Sequence, residues 1–279
     1  NDAPTGTDKT VTTNEDTTYQ FSAADFGFSD VDVSDALHSI QITAIAANGV
    51  LKLNTTSVSN ADVIAVADIP NLTFVPVANA NGATYDAFSF KVIDSNTGAA
   101  ASANTMTIDV TAVNDAPVNT VQNATVIVDE DTALIFNTSN SNLISVVDVD
   151  ATNLTVSLTV SNGVINIASL DGSTVSAGTN NSSTVTIAGT KAQVNAALDG
   201  MTYTGNTNFN GSDMLTILTT DNAGTPLTDT DTVAITVSPV NDAPIAVSDS
   251  RVFVDEDSAV DSIDVLANDS DIDGDTITV

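Results

Sequence analysis

The chain has 279 residues, 42% of them hydrophobic, so it can build packed cores, yet aromatics make up only 4% and tryptophan is absent. Thirty-six acidic residues face five basic ones, a formal net charge of −31 that repels nucleic acid and anionic lipid and argues against both as partners. Without cysteine there are no disulfides, thiol nucleophiles or thiolate zinc sites, and no apolar run approaches the ~18 residues that a membrane span needs.

The chain opens on NDAP, with NEDT at 14–17 and DVD at 30–32. Later come NGATYDAFSF at 81–90 and VIDSNTG at 92–98. Phe88, Phe90 and Val92, then TMTIDV at 105–110, alternate apolar and polar residues with period two, which predicts strands. VNDAP at 113–117 restarts the series, with DEDT at 129–132 and DVD at 148–150. Leu154, Val156, Leu158 and Val160 alternate next, and TKAQVNAALDG (190–200) permits a short helix ended by Gly200. NGSDMLTI (210–217), TTDNAG (219–224) and the strand pattern TVAITV (232–237) complete this second series. VNDAP recurs at 240–244, followed by DEDS (255–258) and DID (271–273), and the chain reaches Val279 in strand-like sequence. Turn clusters at NG (48–49, 162–163), DG (171–172) and TNNSS (179–183) separate the runs.

Asp86 precedes Asp94 by eight residues, and Asp213 precedes Asp221 by eight, so the landmarks share a register as well as a vocabulary. Repeat 1 covers 1–113, repeat 2 covers 114–240, and 241–279 is the incomplete opening of repeat 3, too short to close the same sheet. About seven strands in each ~110–125 residues predict an all-β fold of tandem Greek-key sandwiches. The opening has no signal peptide and reads as an excised or processed segment.

Spacing places the acids. Asn1 to Glu15, Asn114 to Glu130 and Asn241 to Glu256 are 14, 16 and 15 residues, a leg of about 45–50 Å if extended at ~3.3 Å per residue. The glutamate is therefore expected at the opposite end of its repeat from NDAP. A similar return leg brings Asp-x-Asp back to the NDAP end. Stacked repeats would then gather Glu15, Asn114, Asp115, Asp148, Asp150 and Asp221 at one joint. Five carboxylates there repel one another unless a cation joins them. Hard oxygen donors without histidine or cysteine fit Ca²⁺ better than Zn²⁺, and Mg²⁺ demands a stricter octahedron.

This constellation resembles cadherin repeats, specifically the cadherin-like tandem domains of large bacterial (RTX-type) surface adhesins. In that family a first-strand Glu, an Asn-Asp linker, an Asp-x-Asp pair and a late Asp bind Ca²⁺ between domains. The resemblance implies those roles for Glu15, Asn114, Asp115, Asp148, Asp150 and Asp221 at the first junction. At the second it implies them for Glu130, Asn241, Asp242, Asp271 and Asp273. The top of repeat 1 carries Asn1, Asp2, Asp30, Asp32 and Asp94 without a preceding Glu. The family's Asp-Arg-Glu element is missing, with FNG-x-D (209–213) in its place, so one or two ions per junction are expected.

Other readings are weaker. DIDGD (271–275) imitates the start of an EF-hand loop but is flanked by strand-like sequence. His38 is the one histidine, on a polar segment that reads as surface, so no Ser-His-Asp or zinc chemistry can recur in both repeats. Absent tryptophan argues against a glycosidase, and the chain reads as no enzyme. The many Asn-x-Ser/Thr sequences follow from composition, and Lys91 beside Phe90 has Leu218 as its counterpart, which weakens an isopeptide reading. The expected function is a calcium-rigidified spacer in an extracellular bacterial surface or secreted adhesin or filament, its partners the neighbouring repeats of the same chain. Two alternatives stand beside it. Loops such as 171–183 or 54–62 would recognise cell-surface glycan or protein, or repeat 3 would accept a strand from an identical subunit and assemble.

Overall fold

The computed structural model describes residues 1–251, 253, 256–257 and 263–279, and divides into two compact units, Asn1–Val113 and Asn114–Val279. Asp255 and Ser258 of DEDS lie outside the described residues.

The first unit has nine strands: β1 (Lys9–Asn14), β2 (Tyr19–Gln20), β3 (Leu37–Ala44), β4 (Gly49–Leu53), β5 (Thr56–Ser57), β6 (Val63–Ala65), β7 (Leu72–Pro76), β8 (Gly82–Asp94) and β9 (Asn104–Thr111). One sheet runs β1-β9-β8-β3-β6 and the other β2-β7-β4-β5, with successive segments crossing between layers. This is a β-sandwich. Its filling is the inward set of each alternating strand: Phe88, Phe90 and Val92 from β8 meet Phe21, Phe26 and Phe74, all nearly or fully buried. Phe26 stacks edge-on against Phe90 with ring centroids 4.9 Å apart, a geometry that aromatic quadrupoles favour. The predicted patterns alternate because one face of each strand is solvated.

The second unit contains β10 (Val118–Val121), β11 (Thr125–Asp129), β12 (Leu134–Ile135), β13 (Ile144–Val147), β14 (Asn153–Thr159), β15 (Gly163–Asn166), β16 (Thr174–Gly178), β17 (Thr184–Thr190), α1 (Lys191–Leu198), β18 (Thr202–Gly205), β19 (Gly211–Asp221) and β20 (Thr228–Ser238). The main sheet runs β11-β20-β19-β14-β17-β16, and β12-β18-β15 and β10-β13 form smaller sheets around the same core. The predicted helix is α1. Thr190 and Gln193 form a reciprocal capping box at its start, and Val194, Ala197 and Leu198 are buried.

Three expectations change. Each unit has more strands than seven, because short pieces such as β2, β5 and β12 complete the layers where long strands end. The leg from NDAP to the glutamate is not one strand: in the second unit β10 pairs with β13, and β11 then pairs with β20 in another sheet. Residues 276–279 form no strand among the described residues. The corresponding strand β14 pairs with β17 and β19, later segments that have no counterpart within 241–279. Alternation without a partner does not make a strand.

The two candidate recognition loops are also partly built into the sheets. Residues 171–183 carry β16, paired to β17, and residues 54–62 carry β5, paired to β4. No helix among the described residues is long and apolar enough to cross a membrane.

Candidate metal centres

Strand pairing brings the acidic landmarks together in the same way in each repeat. The fourth residue after the linker Asn pairs with the residue just before Asp-x-Asp: Thr5 with Ser29, Val118 with Val147, and Ile245 with Ser270. The linker Asp then lies beside the acidic pair. Its backbone N–H donates to the second acid, Asp2 to Asp32 Oδ2 (2.7 Å), Asp115 to Asp150 Oδ2 (2.8 Å) and Asp242 to Asp273 Oδ2 (2.6 Å). Within each pair the second N–H donates to the first acid, Asp32 to Asp30 Oδ1 (2.8 Å), Asp150 to Asp148 Oδ1 (2.9 Å) and Asp273 to Asp271 Oδ1 (3.0 Å). One backbone device is thus written three times.

The late aspartate completes the group. Asp94 ends β8 and is fully buried, and Asn1 Nδ2 donates to its Oδ2 at 3.1 Å. Asp221 ends β19, is 1% exposed, and accepts from Asn114 Nδ2 at 2.7 Å. Burial pushes the Asp94 carboxyl upward, but hydrogen bonds from Asn1 and from the Gly98 and Asn96 N–H groups outweigh it and hold the group below the usual carboxylate range. Asp221 has the same balance through Asn114, Ala223 and Leu227. Asn241 Nδ2 donates to the Asp242 carbonyl at 2.9 Å, as Asn1 Nδ2 also does to the Asp2 carbonyl at 3.2 Å, and it has no late aspartate as partner among the described residues.

The glutamates sit at the other end. The parallel pairing of β1 with β9 and of β11 with β20 runs out at Asn14–Thr111 and Asp129–Ser238, so the next residue, Glu15 or Glu130, meets the chain leaving the repeat. Glu15 accepts from the Val113 N–H and Glu130 from the Val240 N–H, both at 2.6 Å. They are 3% and 4% exposed. Strand β8, 13 residues long, spans ~40 Å between the Glu15 end and Asp94. The leg lengths in the sequence are long enough for this separation.

The second junction lies within one unit, and its charges act on each other. Burial pushes the Asp242 carboxyl above the usual range, and the negative charges of Asp273, Asp131, Glu130 and Asp271 push it further. No basic side chain answers them: among the described residues the ion pair found is Lys9–Asp25, 2.6 Å, elsewhere in the first unit. Lys191 approaches Asp148 but donates to its backbone carbonyl.

Among the described residues several buried carboxylate oxygens find no hydrogen-bond donor. Asp30 Oδ2, Asp148 Oδ2 and Asp242 Oδ2 are such atoms, as is Asp35 Oδ2. Asp30, Asp35 and Asp94 each aim an oxygen into a space where all three atoms lie within 4.8 Å of one another. Asp35 is absent from the sequence-derived set. Its signal is the third acid of Asp-Val-Asp-Val-Ser-Asp, and Asn153 holds the same offset from the first acid in repeat 2. All these donors are hard oxygens, so the residues fit Ca²⁺.

Other acids serve the frame. Asp86 accepts from the Ala47 and Asn48 N–H groups, and Asp213 from those of Ser161 and Asn162, so the eight-residue spacing marks a staple for the Asn-Gly turn as well as a site residue. His38 is exposed, and Lys91 Nζ donates to the Ala101 carbonyl rather than to an acid.

A family model described as Protein GAMETE EXPRESSED 2 domain matches residues 132–230, and one described as Bacterial Ig domain matches residues 241–279. No curated protein sequence matches the chain. Among solved structures, human CDH23 EC21-23 is similar at 17% identity with a TM-score of 0.45, covering 97% of this chain and 80% of that one. Human Mucin-like Protocadherin EC1-2 is 14% identical (TM-score 0.36, 85% and 98% covered), and mouse Cadherin-23 EC22-24 is 16% identical (TM-score 0.37, 88% and 69% covered).

Proposed function

We propose that this chain is a calcium-stabilised structural spacer of an extracellular bacterial adhesin or surface filament, in which Ca²⁺ at the junctions fixes one repeat on the next. The observation that carries this reading is a set of buried carboxylate oxygens without a donor among the described residues: Oδ2 of the first acids Asp30 and Asp148, whose Oδ1 atoms cap the second acid's N–H, and Oδ2 of the linker acid Asp242, whose own N–H donates to Asp273. A buried carboxylate oxygen with no donor is costly, and a divalent cation removes that cost by direct ligation. The bacterial lineage is supported by the Bacterial Ig domain match over the third repeat.

In this reading Glu15, Asn114, Asp115, Asp148, Asp150 and Asp221 serve the first junction, and Glu130, Asn241, Asp242, Asp271 and Asp273 the second. Asp2, Asp30, Asp32, Asp94 and Asp35 form the corresponding group at the top of repeat 1. Cation binding to the folded junction alone stabilises it by about 2.7 kcal/mol at a hundredfold excess over Kd. Calorimetric titration of the chelator-treated chain tests the assignment. Calcium binding that is weakened at least tenfold at one class of site by Asp148→Asn supports it, and a chain that takes up no calcium refutes it.

A further inference from the structure

The loop before β8 and its counterpart before β19 repeat a set of contacts that the proposed ligands do not account for. Asn79-Ala80-Asn81-Gly82 and Asn208-Phe209-Asn210-Gly211 occupy equivalent places. In the first unit the Asn79 N–H donates to Asp16 Oδ1 (3.0 Å), and Asn81 Nδ2 donates to Glu15 Oε2 (3.1 Å). In the second unit Asn208 N–H donates to Asp131 Oδ1 (3.1 Å), and Asn210 Nδ2 to Glu130 Oε2 (3.4 Å). Asp16, Asn79, Asp131 and Asn208 all have φ between 54° and 57°, a left-handed conformation in which Asn and Asp are enriched. The two turns are therefore built alike although their sequences differ at Ala80 and Phe209.

Each glutamate is thereby held at both oxygens. Oε1 takes the N–H of the departing linker, and Oε2 takes the asparagine amide. A carboxylate oxygen has about two lone-pair sites, so each keeps one open after accepting a single N–H. The carboxylate plane is fixed, the group is almost wholly buried, and no further donor to it is found among the described residues. Hydrogen bonds of this kind set the orientation and basicity of metal-binding carboxylates.

We infer that Asn81 and Asn210 are positioning residues for the junction cations, acting through Glu15 and Glu130. The inference rests on the calcium reading above. It adds that the repeat aligns its glutamate before any cation arrives, so the loop belongs to the joint although it supplies no ligand. The asparagine is needed as a donor, and its side chain must reach Oε2 without adding charge.

The test uses the full chain, with Asn81→Leu and Asn210→Leu as near-isosteres that cannot donate, and Asn81→Gln and Asn210→Gln as variants that retain the amide. Calcium affinity is measured by titration, and circular dichroism with chelator present verifies the fold. Each leucine variant is expected to weaken binding at its own junction by about 10–100-fold, with the glutamine variants recovering part of it. Unchanged calcium affinity in both leucine variants, whatever happens to their calcium-free stability, overturns the inference and leaves the calcium reading standing. Failure of the unaltered chain to bind calcium overturns both.

Discussion

Asp213 shows how much one buried carboxylate organises. It accepts from the backbone N–H groups of Ser161, Asn162 and Met214 and from the Tyr203 hydroxyl at 2.9 Å, and is 6% exposed. Burial and the hydrogen bond to Asp213 both raise the Tyr203 phenol, so the tyrosine stays a neutral donor. Asp213→Ala strands several buried donors and is expected to destabilise the second unit by about 3–5 kcal/mol, while Tyr203→Phe costs about 1 kcal/mol, both read from thermal unfolding. Lys9 and Asp25 make a different pair. Burial raises Asp25, but the Lys9 hydrogen bond and the Ser22 contacts outweigh it and depress the group. A depressed carboxyl contributes stability above its ordinary value of 3.8, and that stability is lost as pH falls through the folded value. Lys9→Met should therefore cost about 1 kcal/mol near neutral pH and flatten the acid limb of the stability curve, measured by unfolding between pH 2 and 7. The clustering of the linker, Asp-x-Asp and late acids was legible in the sequence because they recur at fixed spacing. Asp35 was not, since it appears in one repeat only, and neither were Asn81 and Asn210, whose role depends on a turn that brings them to Glu15 and Glu130.

At the scale of elements, the Asn-Gly turns and α1 carry separate tests. Gly163 lies so close to the next strand that a Cβ there would come within 2.5 Å of the Thr204 carbonyl oxygen and the Tyr203 ring, and one at Gly49 within 2.3 Å of the Phe74 ring. Gly163→Ala is expected to destabilise the second unit by about 1–3 kcal/mol through overpacking, visible as a lowered urea midpoint with an unchanged slope. Thr190→Ala removes the side-chain acceptor for the Gln193 N–H and should cost about 1 kcal/mol in the same assay. The helix was readable because its apolar spacing and terminal glycine agree, and period-two runs disclosed the long strands. The short pieces β2, β5 and β12 were not readable: two residues carry no period, and only a neighbouring strand makes them strands. Residues 276–279 are the converse, a pattern without a partner.

Across the whole molecule, the repeat of landmarks in the sequence became a repeat of hydrogen bonds: linker Asp N–H to second acid, second acid N–H to first, and departing linker N–H to glutamate. The negative charge has a direct consequence for solution behaviour. At the second junction the acids repel one another, as the direction of the Asp242 shift reflects, and in the proposed function a bound cation relieves that repulsion. In the proposed function calcium holds one repeat on the next. Small-angle scattering of the full chain, with calcium and then with excess chelator, tests it most directly when thermal unfolding is recorded on the same samples. Calcium is predicted to give a longer, narrower distribution of interatomic distances and a higher melting temperature, and chelator to broaden the distribution and lower the melting temperature. Identical dimensions and melting temperature in both conditions would mean that calcium does not rigidify the array.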